Sequence, residues 1–201
     1  MSETFVLGSH NSLSYLPIKN KWNLFMRSQN RTLSEQYNIG VRLFDIKVRY
    51  NGKIQFCCGN TVFDYTENQF YEDIRHFREN VYFKFTLDMK NKPEISTLVK
   101  QCFFDFVVDF GHTFKDIATI VGVYILWEHK DYTIELSGQY VEDFLCKTDT
   151  LNIYNKYNTE SKTIFKYLPP KWFASIINEQ IMDLITITST SKQAILIDYV
   201  K

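Results

Sequence analysis

The stretch Ile39–Gly59, IGVRLFDIKVRYNGKIQFCCG, governs how the rest of the chain is read. Val41, Leu43, Asp45, Lys47 and Arg49 alternate with Arg42, Phe44, Ile46 and Val48, the period of two that a strand imposes. Asn51-Gly52 signals a tight turn, and Ile54 to Cys58 returns as a second apolar run. Asp45 and Lys47 therefore project from one face, about two strand rises apart. A carboxylate and an ammonium on an otherwise apolar strand are costly to bury unless they are paired or used. Taken alone, the stretch supports a plain ion pair at a strand end and a functional pair equally.

The N-terminus adds a second signal. Phe5-Val6-Leu7 is a short apolar run, followed at once by Gly8-Ser9-His10-Asn11-Ser12, a small-residue turn that presents an imidazole at a strand end. Thr32 and Glu35 have capping-box spacing for a helix that stops at Gly40. Further along, 67–80 reads as an amphipathic helix, 82–89 as a strand, 95–110 as an apolar helix and 121–127 as a buried strand. Weaker signals mark a strand at 132–136, a helical piece at 141–146, a strand at 163–167, a helix from Pro170 to about Thr186 and a last strand at 194–200. Strands alternating with helices predict an α/β fold with right-handed crossovers. His10, Asp88, His129 and Asp198 fall at the C-terminal ends of strands, where barrel enzymes carry their chemistry. At 201 residues the chain is short for a full barrel of about 250. The expected architecture is one domain, 1–201, built as a compact, irregular or incomplete (β/α)8 TIM-type barrel.

Composition narrows the function classes. With hydrophobic residues at 45% the chain can build a core, which excludes a disordered polypeptide. Lys plus Arg equals Asp plus Glu, 23 each, so no overall basic field argues for nucleic acid. No apolar run reaches the length of a membrane span, and from MSETFVLGSHNS no secretory signal is expected. Cys57, Cys58, Cys102 and Cys146 lack metal-ligand spacing, so a reduced intracellular setting is expected.

Taken together, GSHNS, the following QNRTLSEQYNIGVRLFDIKVR and the short strand ending before Gly59 resemble the catalytic X region of phosphatidylinositol-specific phospholipase C. That family reads G-T-H-N/D-S, then Q-x-x-S/T-L-x-x-Q-L-x-x-G-x-R-x-x-D/E, then a strand ending His-Gly. QAILIDYVK is similar to the family's closing strand. The resemblance is specific over 5–59 and 193–200.

The resemblance implies phosphodiester cleavage by the inositol 2-hydroxyl, with one histidine as base, a second as acid and a cation at phosphorus. His10 matches the base, and an imidazole exchanges its proton near neutral pH. Asp198 matches the aspartate that orients it, as the third member does in a hydrolase triad. Asn11 matches the position beside the base, and Asp45 an acidic residue on the second strand. Lys47 stands where calcium-dependent members carry a ligand Asp and metal-independent members an Arg. Lysine offers phosphate a point charge without the guanidinium fork. Asp88 stands where calcium-dependent members place a ligand Glu, but beside Lys47 it reads as a pairing or substrate-binding residue. His129 matches loosely a basic residue that contacts inositol hydroxyls. No metal and no other cofactor is expected. The expected partner is a phosphoinositide or inositol phosphodiester headgroup, met at a peripheral membrane surface.

The departure is Cys58, in FCCG, where the family has its second histidine. A thiol is a weak donor, and a small buried residue is the plainer reading of Cys58. Two functions follow: a metal-independent diesterase with a weakened acid, or an impaired relative that binds inositol phosphates or serves as an interaction module. A diesterase for another headgroup with a better leaving group is a third.

Overall fold

The computed structural model describes residues 5–17, 27–58, 61–78, 81–89, 96–125, 130–134 and 193–197. The opening stretch folds as strand β2 (Leu43–Tyr50) and strand β3 (Ile54–Cys58), antiparallel, with Val48 opposite Phe56 and Tyr50 opposite Ile54. Gly52, at φ 71°, takes the left-handed step that their connection needs. The start of β2 pairs in parallel with β1 (Phe5–Ser9), Gly8 opposite Leu43. Because β3 pairs only with the end of β2, one edge of β2 serves both strands in succession. The other edge carries β5 (Val81–Met89), parallel, with Asp45 opposite Lys84 and Lys47 opposite Thr86. β6 (Ile117–Ile125) runs parallel beside β5, and β8 (Gln193–Ile197) parallel beside β1. β4 (Thr61–Val62) pairs with β3.

The parallel order is thus β8-β1-β2-β5-β6, a mixed α/β sheet that does not close among the described residues. The expected elements at 141–146, 163–167 and 170–186 lie outside those residues. One expectation is corrected. β7 (Lys130–Ile134) is antiparallel to β6, Ile125 opposite Lys130, so this connection is a hairpin and not a crossover. Only 126–129 separate the two strands, too short for the dozen or more residues a parallel crossover requires.

Helix α1 (Leu33–Asn38) starts with the expected capping box: the Thr32 hydroxyl accepts from the Glu35 N–H, and the Glu35 carboxylate accepts from the Thr32 N–H at 2.8 Å. It stops before Gly40, which sits at φ 102°. Helix α2 (Glu67–Ile74) opens on a second such box, Thr66 with Gln69, and is shorter than the expected 67–80. Phe77 keeps its buried position through a turn, its N–H bonded to the Ile74 carbonyl and its ring 4.3 Å from Tyr37. Helix α3 (Thr97–Thr113) is capped by Ser96.

Strand alternation divides the sheet into two faces. Phe44, Ile46, Val48, Phe56, Phe83, Phe85 and Leu87 face the helices and are all buried. Phe70 of α2 meets Phe56, Phe83 and Phe85, and Phe110 of α3 meets Phe83 and Phe85. Burying such a side chain fully contributes about 1.5–3 kcal/mol, so this layer carries the fold and leaves the opposite face to polar residues.

Candidate active site

The turn that follows β1 is built by side chains that hydrogen-bond backbone. The Ser12 hydroxyl donates to the Ser9 carbonyl at 2.8 Å, and the Ser14 hydroxyl accepts from the N–H groups of Ser28 and Gln29, each at 2.9 Å. Gln29 Nε2 donates to the His10 carbonyl at 3.0 Å, and Gln36 Nε2 to the Ser12 carbonyl at 2.9 Å. These serines and glutamines are buried, and the bonds remove the cost of burying them. They account for the small polar residues around His10 as scaffold.

Asp45 closes the turn from the second strand. Its Oδ2 accepts from the Asn11 N–H at 3.0 Å, and its own carbonyl accepts from the Ser12 N–H at 2.8 Å. Asn11 sits at φ 46°, the left-handed region, which asparagine tolerates better than most residues. The imidazole of His10 follows directly from this constraint: it is half-buried at the end of β1, and its charge bears on Asp45.

On the face away from the helices, polar residues stack along the strands. Asp45 lies opposite Lys84 and Lys47 opposite Thr86. Further toward the strand ends, Arg49 Nη2 donates to Asp88 Oδ2 at 3.2 Å, and the Cys57 thiol lies 3.9 Å from the same oxygen. Burial pushes the Asp45 carboxyl up, but Lys47, Lys84 and His10, with the Asn11 N–H, outweigh it and hold the group below the usual carboxylate range. Asp88 goes the other way: burial prevails over Arg49 and Lys47 and raises it. Burial, then the Asp88 charge, pushes the Cys57 thiol up to about 12, so it stays protonated at neutral pH. Asn11 Oδ1, Asp45 Oδ1, Thr86 Oγ1 and Asp88 Oδ1 are buried without a hydrogen-bond partner among the described residues. Such atoms are acceptors that a ligand's hydroxyl groups could satisfy.

His10, Asn11, Asp45, Lys47 and Asp88 are thus gathered on one side of the sheet. Cys58 is not. It follows Phe56 in the alternation and packs in the apolar cluster with Phe56, Phe70 and Phe106. Its neighbour Cys57 faces the polar residues, because Gln55 and Cys57 share the face of Arg49. Asp198 and His129 lie outside the described residues. Arg49, Lys84 and Cys57 were missed. The signal for Lys84 was present in FKFTLDM, where Lys84, Thr86 and Asp88 alternate with Phe83, Phe85 and Leu87. Among the described residues, no group of three or more His, Cys, Asp or Glu could hold a metal ion.

No protein-family model matches the sequence, and no curated protein matches it. Solved structures do resemble the fold. A phosphatidylinositol-specific phospholipase C of Staphylococcus aureus, with pentafluoro-phenylalanine incorporated, is 13% identical with a TM-score of 0.64, over 96% of this chain and 85% of that one. Another structure of the S. aureus enzyme, concerned with modulation of its membrane binding, is 14% identical with a TM-score of 0.61, again over 96% and 85%. The enzyme of Listeria monocytogenes is 12% identical with a TM-score of 0.57, over 98% and 88%. The chain therefore has the fold of the bacterial phosphatidylinositol-specific phospholipases C.

Proposed function

We propose that the chain is a phosphoric diester hydrolase of the phospholipase C type, acting on an inositol phosphodiester. The observation that carries this reading is the turn holding His10, pinned by Asp45 beside Lys47. His10 takes the proton of the substrate's 2-hydroxyl, that oxygen attacks the phosphorus of the neighbouring phosphodiester, and the P–O bond to the other alcohol breaks, releasing that alcohol and leaving a cyclic inositol phosphate. Lys47 supplies positive charge to the phosphoryl oxygens. Asp198 orients His10. That role rests on the likeness of QAILIDYVK to the family's closing strand. Asp45 and Asp88 each keep one unbonded oxygen for ring hydroxyls, with Asn11 and His129 as further contacts. The reaction needs no calcium in this reading: Lys47 bears on both Asp45 and Asp88, and a cation placed between them would be repelled. The substrate is met at a peripheral membrane surface. Among the described residues, no helix is long and apolar enough to cross a membrane.

A second reading has a specific observation behind it. Cys58, at the position of the family's second histidine, belongs to the apolar cluster, and the neighbouring Cys57 thiol is a feeble acid at about 12. The chain would then bind an inositol phosphate without turning it over, or serve as an interaction module. One assay separates the readings. An aryl inositol phosphodiester, whose leaving group needs no proton, and phosphatidylinositol, whose alkoxide does, are offered with and without chelator. The enzyme reading expects the aryl substrate to be cleaved, the lipid to be disfavoured by about 10²–10⁴-fold relative to an enzyme with a full acid, chelator to have no effect, and Lys47→Ala to abolish turnover. Hydrolysis of neither, with inositol phosphate binding that Lys47→Ala removes, selects the binding protein. Activity that chelator removes and calcium restores overturns the role of Lys47.

A further inference from the structure

The face that carries His10 holds a buried lysine for which the proposed reaction has no use. Lys84 lies on β5 directly opposite Asp45 in the parallel register and is only 7% exposed, while Asp45 is 2% exposed. Neighbouring strands stand about 4.8 Å apart, so side chains paired in this way are immediate neighbours. A lysine is rarely buried to that degree unless it is paired. We propose that Lys84 is a positioning residue: its ammonium is the standing counter-charge of Asp45, and Asp45 in turn fixes the turn that presents His10.

Groups on three strands and in the turn bear on the Asp45 carboxylate among the described residues. They are Lys47 on its own strand, Lys84 on β5, His10 at the end of β1 and the N–H of Asn11 in the turn. Lys47 is the strongest of the charges but also acts on Asp88 and on the Cys57 thiol. His10 is a base that must change its charge in the proposed reaction, so its help to Asp45 comes and goes. Lys84 provides a charge that the chemistry does not draw on. With it in place, Lys47 can turn toward an anionic ligand without leaving a buried carboxylate uncompensated, a situation that is strongly destabilising. Asp45 needs to stay ionised because its Oδ2 accepts the N–H of Asn11, a residue held at φ 46°. A protonated carboxyl accepts that bond more weakly, and the turn would relax toward ordinary dihedrals.

The inference concerns Lys84, which lies outside the proposed catalytic set, and its test does not depend on any turnover. The amide of Asn11 reports the ionisation of Asp45 directly, because it donates to Oδ2. Its NMR shift is followed against pH in the wild type, Lys84→Met and Lys84→Arg, together with its hydrogen exchange. Lys84→Met is expected to move the midpoint up by about one to three pH units, the reach of a close opposite charge, and to speed Asn11 exchange. Lys84→Arg keeps the midpoint low. In a double-mutant cycle, Lys84→Met adds little further exchange once Asp45→Asn is present. An unchanged midpoint in Lys84→Met would assign the counter-charge to Lys47 and His10 and overturn the proposal. Where Lys84→Met alone does not fold, folding of the Lys84→Met/Asp45→Asn double variant supports the proposal. A double variant that also fails to fold makes Lys84 a packing residue and overturns it. Absence of phosphodiesterase activity in the wild type would sink the proposed function and leave this result standing.

Discussion

Asp45 shows how one side chain joins backbone geometry to chemistry. It is buried, it anchors the His10 turn through both its carboxylate and its carbonyl, and it is held ionised by surrounding cations. Its folded-state carboxyl lies below the ordinary value of 3.8, so the unfolded chain binds that proton more readily. Asp45 therefore stabilises the fold at pH values above about 4, and that share is lost as pH falls through its lowered folded value. Asp45→Asn should lower stability at neutral pH by about 3 kcal/mol, since it leaves buried lysine charge without its partner. The difference from wild type should then shrink as pH is taken below about 4. Chemical denaturation at neutral and acid pH measures both effects, and a difference that stays constant with pH would mean that the carboxylate charge is not what matters. Asp88, raised by burial, has the opposite sign: its share is present at acid pH and is lost as pH rises through its folded value.

At the scale of elements, the helices cover the apolar face of the sheet and leave the other face for polar residues. α2 is only Glu67–Ile74, too short to be stable by itself in water. Its anchor is Phe70, fully buried among Phe56, Phe83, Phe85 and Phe110. Phe70→Ala should cost about 3–5 kcal/mol, read as a fall in the denaturation midpoint without a change of slope. Thr66→Ala, which removes the N-cap acceptor of the same helix, should cost about 1 kcal/mol. A Phe70→Ala loss no larger than that of Thr66→Ala would mean that α2 is held by its cap and not by its packing.

For the whole molecule, β5 is the strand through which the described sheet is tied together. It pairs in parallel with β2 along one edge and with β6 along the other, nine residues of β5 being matched to β6. Its helix-facing residues Phe83, Phe85 and Leu87 are buried, and its other face bears Lys84, Thr86 and Asp88. Amide hydrogen exchange should find β5 among the slowest segments, opening with global unfolding, and β4, a two-residue strand paired to β3, much faster. Equal protection in the two would refute this ranking. The polar residues of β5 are therefore mounted on the most strongly supported strand described, which suits a site that needs fixed geometry.

How much of this was legible in the sequence depends on whether a feature is local. The alternation in 41–49 and in FKFTLDM determined which side chains share a face, because successive residues of a strand point to opposite sides. Thr32 with Glu35 determined the start of α1, because a capping box closes within one turn. His10, Asp45 and Lys47 could be singled out for the same reason, from a strand end and a strand face. Which strand lies beside which is another matter. Arg49 meets Asp88, and Lys84 lies opposite Asp45, only because β5 docks against β2 in one register. The facing of Cys57 and Cys58 was likewise decided by the pairing of β3 with β2, Arg49 opposite Gln55. A slip of one residue there would exchange the two cysteines between the apolar layer and the polar face. No local preference of the chain sets that register; contacts between segments far apart in sequence do, and only the tertiary structure holds them.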